Sequence, residues 1–311
     1  MNDRPTDRDL KNLFEDTVSD VVPGDRLGEI RRATAQGAAR KPRRWALVLA
    51  AGTATAAVVG AGAALSQFGL PKGDDVAGPG DQPTAVAAYF LGQTPDGDRL
   101  YREFQSVEAT EDAASRTLEA VRLLESSAGA NDPDYATVWP DDSFLDVALN
   151  DDGIRLTISD EASNDAATMG TNGLQQAVFT AQAAVGETLP VSFMTADRMV
   201  RDSVARDNTV LTPVNISDPA EGHSVSGVLT MRGTVRSPGT NDVDDVPWSL
   251  RSTDGDLALS GVAPATGTTW ETTANIDSLA PGRYVLTVSN AHLDSGTTTG
   301  TTTDTRTVTV R

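Results

Sequence analysis

The sequence contains no cysteine, so disulfides, zinc–thiolate centres and cysteine nucleophiles play no part in its chemistry. That absence does not fix a compartment, because secreted domains also manage without cysteine. Histidine occurs only at His223 and His292, which closes off histidine-rich metal sites. Past residue 44, Lys72 is the one lysine, and fifteen Lys+Arg face thirty-six Asp+Glu; the first 44 residues carry ten against eight. The acidic remainder repels nucleic acid and anionic headgroups. Gly-rich phosphate loops and aromatic-basic surfaces are absent, so the reading includes no cofactor and no nucleic-acid partner.

At 311 residues the chain has room for two ordinary domains. From Trp45 to Leu70 no residue is charged. A helix over residues 45–67 is long enough to cross a hydrocarbon layer of about 30 Å. The rival reading is a cleaved export signal, with Arg43-Arg44 before the apolar run and Ala61-Gly62-Ala63 as a small-residue cleavage site. Arg31, Arg32, Arg40, Lys41, Arg43 and Arg44 precede the run and only Lys72 closely follows it, so residues 1–44 form a cytoplasmic tail. Within it Leu10, Leu13, Phe14, Val18 and Val21 recur at helical spacing until Pro23-Gly24. They suit a tail lying on the membrane or a docking helix for a cytoplasmic regulator. Residues 68–83 are a linker, solvated and rich in Pro, Gly and Asp from residue 71.

Residues 84–200 show both hydrophobic periods. Val86, Ala88 and Phe90 alternate as in a strand, and the turn Pro95-Asp96-Gly97-Asp98 leads to a second strand over Leu100–Val107. The next helix is expected to be capped by Thr110, with Ala114, Leu118, Val121 and Leu124 on one face. Leu145, Val147 and Leu149 pair with Ile154, Leu156 and Ile158 across the turn Asn150-Asp151-Asp152-Gly153. A second helix carries Leu174, Ala177, Val178, Ala181 and Val185 on one face and ends at Gly186; Val191 and Phe193 begin a last strand. The expectation is an α+β domain, ββαββαβ, with helices on one face of a mainly antiparallel sheet.

After a polar linker at 201–212, which permits the domains to move independently, the texture becomes all strand over 213–311. Seven candidates are Val214–Ile216, Val225–Val235, Val246–Ser252, Leu257–Val262, Thr268–Ile276, Arg283–Ser289 and Arg306–Val310, an immunoglobulin-like count. Asp254-Gly255 reads as a hairpin turn, Trp248 as a buried residue of a central strand, and Tyr284 as a tyrosine corner. The Thr-rich run 297–303 reads as an exposed loop.

The order of parts is recognisable. Residues 84–200 resemble the GerMN domain of spore-germination type proteins, through Ala88-Tyr89-Phe90, Arg99-Leu100, Leu123-Leu124, Asp152-Gly153-Ile154, Leu174–Ala181 and Val191-Ser192-Phe193. Residues 213–311 resemble the immunoglobulin-like domain that often follows it, through Val214-Asn215-Ile216, Asp218-Pro219, Gly227, Gly233 and Pro281-Gly282-Arg283-Tyr284. The chain departs from the first pattern at Glu125–Gly129 and over 160–171, a looser segment. The resemblance implies an envelope module of a kind that packs into assemblies at membranes, and it brings no catalytic residues.

Chemical candidates are weak. Gly222-His223-Ser224-Val225-Ser226-Gly227 approaches a nucleophile elbow, but Ser226 replaces its second glycine and strands flank it. Asn241–Asp245 lacks the glycine and distal glutamate of a calcium loop. Asp141-Asp142 and Asp151-Asp152 read as turn formers and not as an acid–base pair. Asn215-Ile216-Ser217 matches a glycosylation sequon on a strand. No catalytic, cofactor or metal residue is assigned. The expected function is a non-enzymatic, membrane-anchored binding protein of the bacterial envelope. Its partner would be another envelope protein, itself or a cell-wall polymer, the last disfavoured by the acidic exterior. A transmembrane signalling protein is the alternative, and an envelope hydrolase a third.

Overall fold

The computed structural model describes residues 83–311 apart from 109, 111, 127, 237–244 and 291–300. The expected tail, membrane span and most of the linker therefore lie outside the described residues. Among the described residues no helix is long and apolar enough to cross a membrane.

Strands β1 (Thr84–Thr94) and β2 (Gly97–Val107) form a hairpin in unbroken register from Thr84↔Val107 to Thr94↔Gly97. Its turn closes because Thr94 Oγ1 donates to the Gly97 carbonyl (2.6 Å), and Gly97 takes a φ of +101° that side chains disfavour. Helix α1 (Ala113–Arg122) starts later than expected: Asp112, not Thr110, caps it, its carboxylate accepting from Ser115 N at 2.7 Å. An ionised cap also suits the positive end of the helix dipole. Short strand β3 (Tyr135–Ala136) pairs with β1.

The anticipated hairpin is β4 (Phe144–Asn150) and β5 (Gly153–Ile158), paired through Asn150↔Gly153. The segment read as loose contains α2 (Asp160–Asn164), capped by Ser159 Oγ accepting from Ala162 N at 3.2 Å. Helix α3 (Thr171–Val185) ends where expected, at Gly186 with φ +87°. Strand β6 (Val191–Met194) then runs parallel to β5, and β7 (Met199–Val204) antiparallel to β6.

Two features differ from the sequence reading. The domain holds two sheets and not one, β2-β1-β3 and β4-β5-β6-β7, and within the second the α2–α3 crossover is long enough to bring β6 back parallel to β5. Helix α3 is buried nearly all round, with Gln175, Gln176, Thr180 and Gln182 inside as well as its apolar stripe. Those polar side chains satisfy neighbouring backbone: Thr180 Oγ1 accepts from Tyr89 N (3.0 Å), and Gln176 Nε2 donates to the Tyr89 carbonyl (3.2 Å). They stand in for a strand that β1 lacks there. Strand residues such as Phe90, Phe144, Leu156 and Phe193 share one core with α1 and α3.

The remaining strands are β8 (Val214–Asp218), β9 (His223–Val225), β10 (Val228–Val235), β11 (Val246–Ser252), β12 (Leu257–Ala263), β13 (Ala265–Thr266), β14 (Thr269–Asn275), β15 (Gly282–Ser289) and β16 (Thr303–Val310). They form two sheets, β13-β14-β10-β8 and β12-β11-β15-β16-β9, around a second core. The run Val225–Val235, read as one strand, is divided: Gly227 at φ +71° lets the chain leave β9 in one sheet and enter β10 in the other. Trp248 lies in β11 between β12 and β15, and the Tyr284 hydroxyl donates to the Ala280 carbonyl at 3.0 Å. Each sheet carries a tryptophan laid on a cross-strand glycine, Trp248 on Gly261 and Trp270 on Gly233.

Candidate functional site

The two domains meet along β2. One edge of β2 is consumed by β1; on the other, the Leu100 carbonyl accepts from Thr212 N (3.0 Å) and the Arg102 carbonyl from Asn215 Nδ2 (3.2 Å). The connector, read as a polar joint, is structured: it holds β7 and a short turn, Asn208–Val210, capped by Asp207. Strand alternation then sends Tyr101 and Glu103 to one side of β2, and Arg102 and Phe104 to the other.

On the Tyr101 side lies a buried charged cluster. Glu103 accepts from Asn131 N (2.9 Å) and Asp132 N (3.1 Å), fixing the loop that presents Asp132 and Tyr135. The sandwich answers with β16, whose inward positions read Asp304, Arg306, Val308 and Val310. The Arg306 side chain is 2% exposed. It donates to Asp132 Oδ2 (2.5 Å), Asp304 Oδ1 (3.2 Å) and the Thr305 (2.6 Å) and Ile216 (3.1 Å) carbonyls. Its guanidinium lies 4.9 Å from the centre of the Tyr135 ring. Asp304 also accepts from the Tyr135 hydroxyl (2.7 Å), Asn215 Nδ2 (3.1 Å), Ile216 N (2.5 Å) and Thr305 N (2.9 Å). The Tyr101 ring packs tilted against Tyr135, centres 5.0 Å apart, and its hydroxyl donates to the Thr303 carbonyl at 3.2 Å.

With two carboxyls against one guanidinium, the fully ionised trio has a net charge of one negative unit in a dry environment. Burial pushes Asp132 up to about 6 against the pull of Arg306, and pushes Asp304 up against Arg306 and the Ile216 amide. Burial likewise raises Tyr101 to about 12, and burial and Asp304 together raise Tyr135 well above its usual value. For Arg306, burial favours deprotonation, but Asp304, Tyr135 and Asp132 outweigh it and the group stays charged. The cluster is a sealed latch whose charge changes by one unit as Asp132 titrates.

This site is not among the residues the sequence pattern points to, since the last strand is expected only from Arg306 and the threonines before it as a loop. The available signal was period-two alternation with Asp304 and Arg306 in inward positions. The residues it did single out lie apart. Ser224 and His223 sit in β9, paired parallel with β16, and among the described residues no helix follows them. His292 and Asn241–Asp244 lie outside the described residues. Asp141-Asp142 precede β4 in a turn where Asp142 has φ +56°, and Asp151-Asp152 form the exposed β4–β5 turn. Asn215 of the sequon is 1% exposed and committed to the latch, which removes it as a glycosylation acceptor. Among the described residues no group of acids and histidines could hold a metal ion.

No family model matches the chain, and no curated protein matches it. Among solved structures, the tandem GerMN domains of the sporulation protein GerM from Bacillus subtilis align at 13% identity over 45% of this chain and 50% of that one, TM-score 0.34. A thermostable endoglucanase from Alicyclobacillus acidocaldarius aligns at 22% identity over 29% of this chain and 13% of that one, TM-score 0.19. CopC from Methylosinus trichosporium aligns at 18% identity over 31% of this chain and 92% of that one, TM-score 0.22. This chain thus spans half or less of the first two proteins.

Proposed function

We propose that residues 84–311 are a binding and interaction module of the bacterial envelope, without catalysis of its own, held outside the membrane by a helix over residues 45–67. The observation that carries this reading is the latch. Two domains joined by a polar connector are tied by a buried guanidinium–carboxylate network, so a partner meets surfaces of both domains in fixed relation. Fixing them beforehand lowers the ordering cost of binding across both. The uncharged 45–67 segment behind a basic flank supports the anchor, and the resemblance of 84–200 to GerMN domains and of 213–311 to immunoglobulin-like domains supports the envelope setting. The partner classes are another envelope protein, a second copy, or a cell-wall polymer.

Fractionation of host cells with intact-mass measurement tests the anchor. A full-length species released from membranes only by detergent is the expected result. A species beginning near Ala64 and found outside the membrane makes residues 1–63 an export signal and refutes anchoring.

A further inference from the structure

On the other side of β2 from the latch, Arg102 and Arg206 lie about the Tyr89–Phe179 ring pair, and the backbone of Arg236 is held beside Pro213 at the entry to β8. Arg102 faces Tyr89 across the β1–β2 register, lies 5.0 Å from the Phe104 ring, and donates to Ser217 Oγ of β8 at 2.7 Å. Arg206, in the connector, stacks 4.4 Å from the Phe179 ring of α3, which in turn lies 5.1 Å from Tyr89. Arg236 follows β10, its backbone N donating to the Pro213 carbonyl at 2.7 Å. Burial lowers the proton affinity of Arg206 and of Arg236, and Arg236 is lowered further by the charges of Arg206 and Arg102. Tyr89 acts on both in the opposite sense.

The chain carries a net charge of −19, yet among the described residues these cations have no counterion. Among the described residues, ion pairs are made by Arg122, Arg232 and Arg306 and by none of these three. Asp207, the sequence neighbour of Arg206, directs its carboxylate to Thr209 N and Oγ1. The Nε atoms of Arg102 and Arg206 are buried without a hydrogen-bond partner. A buried donor left unpaired is costly, and like charges held near one another add repulsion, so a ligand that accepts from these groups completes the arrangement.

We propose that Arg102, Arg206 and Arg236, with the hydroxyls of Ser217 and Tyr89, bind a doubly charged oxyanion of the phosphate class, as free phosphate or as a phosphate monoester. Every group there can donate, and the guanidinium fork matches phosphate oxygens. Three cations call for more than the single charge of one carboxylate. The aromatic stacks hold two guanidiniums in place before the ligand arrives. Arg102 and Arg206 are half-buried and Arg236 is exposed, so the group is open to a ligand from solvent. Net charge disfavours anionic ligands for the exterior as a whole, but a local cluster governs the potential within about 8 Å at physiological salt. The inference deepens the binding reading and rests on it, though the site is testable whether or not residues 45–67 are retained in a membrane.

Titration calorimetry on the full-length protein in neutral detergent, at constant ionic strength, provides the test. Inorganic phosphate and glycerol 3-phosphate are the probes, with chloride and succinate as comparisons. Saturable binding of either phosphate probe, at least tenfold tighter than succinate, is expected; the better of the two identifies a free or an esterified source. Arg206→Lys, which keeps the charge but not the fork or the stack, should weaken binding about tenfold. Arg102→Gln combined with Arg236→Gln should abolish it, with unchanged circular dichroism, while Arg232→Gln leaves it intact. Absence of saturable phosphate binding, a preference for succinate, or equal binding by wild type and Arg206→Lys overturns the proposal.

Discussion

Replacing Arg306 by methionine removes the cation of the latch while leaving an unbranched side chain to fill part of its volume. Asp132 and Asp304 then stay behind as buried carboxyls, and the Ile216 and Thr305 carbonyls lose a donor. Stranding one partner of a buried ion pair costs about 3–5 kcal/mol. Asp304 retains donors from Tyr135, Asn215, Ile216 and Thr305, so its share is cushioned, whereas Asp132 keeps only Asp134 N at 2.8 Å. A loss of about 3 kcal/mol at pH 7, the low end of that range, is therefore expected. Arg306 holds both carboxyls down, so its removal raises their folded-state pKa values further above the unfolded ones. A native state that binds more protons than the unfolded one gains stability as pH falls, and the deficit should shrink between pH 7 and pH 5. Urea unfolding of the full-length protein, followed by tryptophan fluorescence, reads this, with Trp139 buried in one core and Trp270 in the other. A deficit below about 1 kcal/mol at pH 7, the ordinary value for a surface pair, or one that does not shrink at pH 5, would refute the reasoning.

Asp132→Asn should flatten the pH dependence of stability. The folded pKa of Asp132, about 6 against an ordinary 3.8, means its contribution is most favourable below about pH 4 and is lost as pH rises through 6. That loss is about 3 kcal/mol at 1.36 kcal/mol per unit; unfolding free energies of wild type and variant differing equally at pH 4 and pH 7 would contradict it. Gly233→Ala should destabilise the sandwich by about 3 kcal/mol or more, as strong overpacking does. Its added Cβ collides with the Asn215 carbonyl and meets the Trp270 ring at 2.7 Å. A thermal midpoint within a degree of wild type would show that the sheet gives way there at little cost.

Much of the fold was legible because its signals are local. Asn150–Gly153 specifies a hairpin through residues in direct sequence contact, Gly186 stops α3 through its own backbone freedom, and Tyr284 finds an acceptor four residues upstream. Where the reading failed, the deciding partner was remote. The apolar stripe of α3 was visible, but the burial of Gln176 is explained by Tyr89 and Val138 and that of Gln175 by Ala205 and Asp207, all remote along the chain. Likewise, alternation identifies Val86, Ala88 and Phe90 as a strand face without saying that two sheets share the core.

The sequence alone determined the order of an acidic α+β region and an all-strand region behind an uncharged segment, since composition and periodicity are properties of neighbours. The tertiary structure decided that Arg306 meets Asp132, 174 positions away, and that Arg102, opposite Tyr89, and Arg206, on Phe179, come to one pair of rings. A buried charge is tolerable only beside its compensating partner, and which residue supplies it is set by how the strands pack.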